Sequence, residues 1–404
     1  MPIKADAVII GGGVMGCAIA YNLAKEGLKP VVIEKSDIGG EASGSNGGGV
    51  RQSARNLKEM PLAMASIQLY GQLHEELGMD VEYVRQGNLR LCTSQEEIET
   101  MRQSVENQKK VGLELQILDR KQVLEINPHV GEKVIGASFC PTDGHVNPFL
   151  VTYGFFNKAK SLGARFYTHE EAAEIRMQKG RVTGVVTAKN TFETDLVVNA
   201  AGIAGRKVAN MVGLDLPMQP VFSEAMITEA YPPLFKQMIG HAKGLFYGRQ
   251  TVHGSFFWGG FVGTEQFIYR AGKPLFHYIG PAISQMVIDF FPVLKDLNVI
   301  RMWSGLIAQM SDAIPVLGFT QEVPGWVFAT GFSGHCFGLA PVIGRLIAEL
   351  ILDCKTSIPI TDFCYGRFQR GSDNECACQG NAACTTITAV CPNKREWLKS
   401  ILWI

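Results

Sequence analysis

Three glycines open the chemistry of this chain. Gly11, Gly13 and Gly16 stand in the spacing G-x-G-x-x-G, and Glu34 follows about twenty residues on. Between a strand and a helix, that spacing holds a dinucleotide. Gly11 permits a tight turn, Gly13 lets the backbone approach a pyrophosphate, and Gly16 lets helix and strand pack closely. Val14 and Met15 bring their N–H groups to the helix start, where phosphate charge is favoured. Glu34 offers a carboxylate to ribose hydroxyls, with Lys35 beside it. Three further glycine-bearing segments follow. Ser43, Ser45, Asn46, Gly47 and Gly48 lie in a run that ends at Arg51. Ala200, Ala201 and Gly202 close an apolar run. Gly331, Gly334, His335, Cys336, Phe337 and Gly338 make the fourth. Four separated loops predict a large cofactor touched along the whole chain. The sequence has no second G-x-G-x-x-G, which argues against a separate nicotinamide domain.

Substrate chemistry has fewer markers. Arg51 directly follows the second glycine loop and is placed to bind a carboxylate or flank the cofactor, with Arg55 as second choice. His335 lies between two glycines of the last loop. Tyr247, Arg249, His253 and Trp258 fall on an aromatic stretch, 246–261, and are expected to line a pocket; His145 is a weaker candidate. Each has a plainer alternative: a solvated charge for the arginines, a structural donor for His335, ordinary sheet packing for the aromatic stretch. Cys376, Cys378, Cys384 and Cys391 crowd the tail, but their spacing matches neither paired C-x-x-C zinc ligands nor a ferredoxin run. No metal site is expected.

The elements that must position these residues are legible as periodicities. Apolar runs at 7–10 and 30–33 flank a helical pattern at 17–25, a βαβ unit. Residues 56–77, 96–112, 146–163 and 340–353 read as helices, the last with Pro341 in its first turn. Residues 182–188, 195–200 and 326–329 read as strands, and 246–261 alternates as antiparallel sheet does. The fold class is α/β, with a Rossmann-type part and a mixed-sheet α+β part. From 371 onward the composition turns polar and cysteine-rich.

Composition narrows the function classes. A chain of 404 residues holds two or three domains. With 46% hydrophobic and 19% charged residues, wholesale disorder is excluded. Lys plus Arg equals Asp plus Glu, 38 each, so nonspecific nucleic-acid binding lacks its cationic excess. The longest uncharged stretch near the C-terminal end, 323–344, holds too many Gly and Pro residues for a membrane-spanning helix. The N-terminus lacks the long apolar region of a signal peptide. Six scattered cysteines, Cys17, Cys92, Cys140, Cys336, Cys354 and Cys364, are therefore expected as reduced thiols in a cytoplasmic protein.

From about Ala5 to Phe368 the chain resembles the D-amino-acid oxidase/sarcosine oxidase superfamily of FAD enzymes, most of all the beta subunits of heteromeric sarcosine oxidases and of proline or hydroxyproline dehydrogenases. The residues that carry the resemblance are Glu41 to Gly48, Asp143-Gly-His-Val-Asn-Pro148, Arg301-Met-Trp-Ser-Gly305 with Asp312 to Gly318, and Gly331-Phe-Ser-Gly-His335. The resemblance implies a discontinuous FAD-binding domain at 1–85, 147–218 and 302–368. It implies a substrate domain at 86–146 and 219–301, and FAD contacts that include Ala173 and Gly305. Gly305 falls near the position of the flavin-linking cysteine of monomeric sarcosine oxidases, so FAD is expected to be noncovalent. The lysine that promotes oxygen reaction in those oxidases aligns with Trp258. The histidine that holds FMN in heteromeric oxidases aligns with Pro148, which leaves only noncovalent FMN at an interface with another chain. The implied reaction is oxidation of a small amino acid or secondary amine, with electrons passing to a partner chain or another acceptor. Oxidation of a 2-hydroxy acid or glycerol phosphate, or a flavin relay without its own substrate, are the alternatives.

Overall fold

The computed structural model describes residues 1–260, 269–270, 273–274 and 276–369. The four tail cysteines, Cys376, Cys378, Cys384 and Cys391, lie outside the described residues. Two compact units are present: 1–43, 151–220 and 307–369 form the first, and 44–150 and 221–306 the second.

β-branched residues build the sheet of the first unit. Val8–Ile10, Val31–Ile33 and Val197–Asn199 are buried at every position, as strands covered on both faces must be. The six-stranded order runs Val316–Phe319, Trp326–Thr330, Val197–Asn199, Val8–Ile10, Val31–Ile33, Arg165–Tyr167. All pairs are parallel except the first, which is antiparallel. The chain leaves Val8–Ile10 toward one side of the sheet and later fills the other, so a topological switch point lies at that strand. Helices Val14–Lys25 and Cys336–Asp353 pack so closely that a Cβ on Gly344 would come within 2.9 Å of the Ala18 backbone. A second sheet holds Ile3–Lys4, Thr191–Glu193, Arg181–Thr187 and Ala172–Gln178.

The second unit is organised on an eight-stranded sheet. Its order is Val299–Met310, Met218–Ala230, Ser255–Gly260, Phe246–Gln250, Met238–His241, Asn88–Cys92, Gly136–Cys140, Gln116–Asp119. Leu89, Leu91, Met226, Phe246, Phe256 and Trp258 send their side chains into one core, with Ile283 and Val287 of the helix Phe276–Phe290. Residues 44–85 join this unit through the Gly49–Val50 strand, paired with Gly144–His145, and through the Val84–His145 bridge.

Two expectations change. The helix expected at 340–353 starts at Cys336, so Pro341 is inside it and not in its first turn. A nearly continuous run of buried residues from Phe337 to Ile351 offsets the backbone hydrogen bond that proline forfeits. The six scattered cysteines are not all free thiols. Cys17, Cys92, Cys140 and Cys336 are in no disulfide, whereas Cys354 and Cys364 are disulfide-bonded. Both lie where the chain turns after the long helix, Cys354 in a left-handed C-cap with φ 53°. Among the described residues no helix is long and apolar enough to cross a membrane.

Candidate active site

In the first unit, three of the glycine loops leave the same edge of one sheet. Ile10, Asn199 and Phe328 are in register on adjacent parallel strands. The loops that begin at Gly11, Ala200 and Gly331 therefore converge at the carboxyl ends of the strands, where open α/β sheets bind ligands. Gly11 has φ 113°, and a Cβ there would stand 2.4 Å from the Ala200 carbonyl oxygen. A Cβ on Gly16 would stand 1.9 Å from the Gly11 carbonyl oxygen, so helix and turn touch. Gly13 is the N-cap of Val14–Lys25 and brings no capping side chain of its own, and the helix's first turn carries no acid. Its positive end is thus left for an anion. Val14 N–H donates to Ser43 Oγ at 2.9 Å, which ties the second loop to this helix start. Met15 and Gly16 are buried in the first turn.

Glu34 is buried at the end of its strand. Its carboxylate accepts from Gly12 N–H at 2.7 Å and from Ser36 N–H and Oγ–H at 2.8 and 2.9 Å. Lys35 pairs with Glu41 at 2.8 Å. Ala173 lies on the wall of a cleft of about 310 Å³ that Glu170, Lys189 and Lys207 also line. Ala201 N–H donates to Asn199 Oδ1 at 3.3 Å, and Gly202 (φ 52°) accepts from Thr330 Oγ–H at 3.3 Å. Gly331 (φ 74°) would press a Cβ to 2.5 Å from Met310 Sδ, and Gly334 has φ 87°. His335 is the N-cap of Cys336–Asp353 without capping it through its side chain; Phe337 and Gly338 are buried in the first turn.

In the second unit the other candidates gather on one sheet face. Tyr247 pairs with Gly240 and Gly259, and Arg249 with Phe257, so period-two alternation points Tyr247, Arg249 and Phe257 the same way. Arg249 is buried; its Nε–H donates to Gly47 O at 2.6 Å, and Nη1 lies 3.4 Å from His145 Nδ1. Burial pulls the Arg249 pKa down to about 10. Burial first, and then the Arg249 charge, push His145 down to about 3. The Tyr247 phenol is raised by burial. Asn46 Oδ1 accepts from Gly48 N–H at 2.7 Å, and Gly48 has φ 70°. Trp303 Nε1–H donates to Ser45 O at 2.9 Å, and a Cβ on Gly305 would meet Ser45 Cβ at 2.9 Å. Gly47 is required by the Phe257 ring, which a Cβ would approach to 2.4 Å.

Arg51 is half-buried, and its Nη1 donates to the carbonyls of Ser53 and Ala54 at 2.6 and 3.0 Å. Burial lowers its pKa against the opposing pull of Asp143. Asp143 is fully buried and accepts from Gln52 N–H at 2.8 Å and Ser53 Oγ–H at 2.5 Å, which fixes the segment that presents Arg51. Arg55 turns elsewhere, to Arg51 O at 2.7 Å and Glu59 at 3.9 Å, both side chains deeply buried.

A family match gives this geometry its context. The model described as DAO, FAD dependent oxidoreductase, matches residues 6–350. The chain belongs to that family. It is 28% identical over 370 residues to dimethylglycine dehydrogenase of Mus musculus, covering 86% of this chain and 42% of that protein. The chain thus spans about two fifths of the dimethylglycine dehydrogenases it matches. It is 27% identical over 380 residues to glycine oxidase of Geobacillus kaustophilus, covering 91% of this chain and 98% of that one. Among solved structures, L-proline dehydrogenase from P. horikoshii superposes with a TM-score of 0.84 at 32% identity, covering 92% of this chain and all of that one.

This DAO-family chain fits the cofactor of its family. The glycine-only turn at Gly11, the helix start at Gly13 with no acid in its first turn, and the buried acid at Glu34 are residues that could hold a dinucleotide such as FAD. Two candidates are placed differently from expectation. Trp258 pairs with Gly248 and turns to the face opposite Tyr247 and Arg249, fully buried among Phe246, Phe256 and Phe291. His253 is in the hairpin turn, its side chain 76% exposed, bonded to Glu82 at 2.9 Å. Neither lines the face that Tyr247 and Arg249 share. Asp143 and Arg90 were not singled out as site residues. The signal of Arg90, a polar side chain between buried Leu89 and Leu91, gains meaning only with strand register.

Proposed function

We propose that this chain catalyses FAD-dependent oxidation of an amine whose α-carbon bears a carboxylate, a secondary amine or small amino acid. The first unit holds the FAD and the second unit holds the substrate. FAD held there would supply the two-electron acceptor for the substrate's hydride, and the imine product would hydrolyse in water. The chain's own residues bind, orient and screen. Arg51 and Arg249 are the groups that receive the carboxylate, and Tyr247 closes the same sheet face. The start of Cys336–Asp353, with no side-chain cap and no acid in its first turn, is suited to negative charge on a reduced ring.

The observation that carries the proposal is the state of the arginines. Neither Arg51 nor Arg249 forms an ion pair with a carboxylate among the described residues, and both direct their guanidinium groups to carbonyl oxygens. A guanidinium held in a buried or half-buried place mainly by carbonyl oxygens favours an anionic ligand. The relatives named above for dimethylglycine, glycine and L-proline support amines over hydroxy acids. A dehydrogenase is favoured over an oxidase, because the sequence has no lysine between Lys243 and Lys273 to supply an ammonium beside a flavin. The test is a substrate panel mixed anaerobically with the yellow protein. Amine-dependent bleaching supports the proposal; bleaching only by 2-hydroxy acids refutes it.

A further inference from the structure

Arg90 has no part in the proposal above, yet it sits on the same sheet face of the second unit. It pairs with Gly240 on one side and Ser138 on the other, and Gly240 in turn pairs with Tyr247. The row across the sheet is therefore Ser138, Arg90, Gly240, Tyr247, Gly259. Gly240 is the gap in it. A Cβ there would meet nothing nearer than the Phe246 carbonyl oxygen at 3.7 Å and Arg90 Cγ at 4.0 Å, so glycine is not demanded by packing. The backbone does not demand it either, because Gly240 is absent from the positive-φ positions. What glycine leaves is space between a guanidinium and a phenol.

Arg90 itself is under-satisfied. Nη2 donates to the carbonyls of His241 and Ala242 at 3.3 and 3.1 Å, and Nε is buried with no partner. No carboxylate pairs with it among the described residues. Burial, and next the positive charge of Arg51, bring its pKa down to about 10. The Arg51 segment crosses this face, for Asn88, two residues before Arg90 and on the same side of its strand, donates to Ser53 Oγ at 3.3 Å. The acid whose charge reaches both arginines is Asp143, and its oxygens are taken by Gln52, Ser53 and Asn88. A guanidinium that feels the charge of a second one, with room over Gly240 for at least one further carbon, is matched by a ligand with two negative groups.

We propose that the substrate carries two carboxylates, one received by Arg51 and the second by Arg90 over Gly240. The inference rests on the amine-oxidation proposal and narrows it to dicarboxylic amines. The second carboxylate is on the nitrogen substituent or on the side chain, and iminodiacetate and L-glutamate represent the two arrangements.

The holoenzyme is mixed anaerobically with iminodiacetate, L-glutamate, sarcosine and L-proline, and kcat/KM is read from flavin bleaching. At least one dicarboxylic amine is expected to exceed both monocarboxylic ones by tenfold or more. Arg90→Gln is expected to lower the dicarboxylate-to-monocarboxylate ratio roughly ten- to a hundredfold, the range of a lost charge-assisted bond. Gly240→Val, which fills the gap without touching charge, is expected to lower the same ratio. A purely structural Arg90 would reduce both substrate classes in proportion and leave the ratio fixed, which overturns the inference. Bleaching by sarcosine or proline as efficient as by the better of the two dicarboxylates overturns it while amine oxidation stands. Bleaching by dithionite but by no amine overturns both.

Discussion

Arg51 and His145 give the residue-scale account its sharpest consequences. Arg51→Ala removes a guanidinium held by the carbonyls of Ser53 and Ala54. A charge-assisted hydrogen bond contributes about 1.5–3 kcal/mol, so specificity for the amine is expected to fall roughly ten- to a hundredfold. A loss below about threefold would move the carboxylate to Arg249. His145 gives a pH signature. Its folded pKa, about 3, lies below the ordinary 6.5, so the unfolded chain binds the extra proton in between. Its contribution to stability is present above about pH 6.5 and is lost as pH falls toward 3. His145→Asn is expected to flatten the decline of the urea midpoint between pH 7 and 4.5; an unchanged slope would show that His145 is not held neutral. At this scale the sequence was informative wherever backbone geometry dictates residue type. Gly11 and Gly331 must be glycine because their φ values are 113° and 74° against close neighbours. It was uninformative about direction. Trp258 and Tyr247 share an aromatic stretch, but the pairing of 248 with 258 puts them on opposite faces. A one-residue change of register would reverse that, and register is not written in the stretch itself.

Among the elements, the strand–turn–helix from Val8 to Lys25 is the one on which cofactor retention is proposed to depend. Gly13→Asp would set a carboxylate at the helix start proposed to receive a pyrophosphate. The variant is expected to fold and to elute without flavin absorbance after gel filtration; full retention would place the cofactor elsewhere. Gly16→Ala tests packing rather than charge. Its Cβ would stand 1.9 Å from the Gly11 carbonyl oxygen, so strand and helix must separate. Overpacking of this kind costs roughly 1–3 kcal/mol, measurable as a lower urea midpoint. The helix Cys336–Asp353 shows why element boundaries were harder to place than element types. Gly338 and Pro341 are breakers by local rule, yet close packing on Val14–Lys25 through Gly344 outweighs them. The long strands Met218–Ala230 and Val299–Met310 went unrecognised, because their partly buried stretches lack strict alternation.

At the scale of the whole molecule, one unit brings glycine loops to the carboxyl edge of a parallel sheet and the other presents arginines on a sheet face. The first was legible in the sequence, because short motifs encode it. The second was not, since Arg90, Tyr247 and Arg249 come from segments far apart in the chain that only strand pairing brings onto one face. Two outcomes follow for the intact protein. Denaturation is expected to release all of its flavin as free FAD into the supernatant, because no cysteine stands at Gly305; flavin that stays with the precipitate would contradict noncovalent binding. The central claim, oxidation of a carboxylate-bearing amine, is tested most directly by anaerobic bleaching. The oxidised holoenzyme is mixed with sarcosine, L-proline, iminodiacetate and L-glutamate, with 2-hydroxy acids as the comparison, and its absorbance is followed near the flavin maximum. The account predicts amine-dependent bleaching that Arg51→Ala slows at least tenfold; bleaching by hydroxy acids alone, or by none of these while dithionite still reduces the flavin, would contradict it.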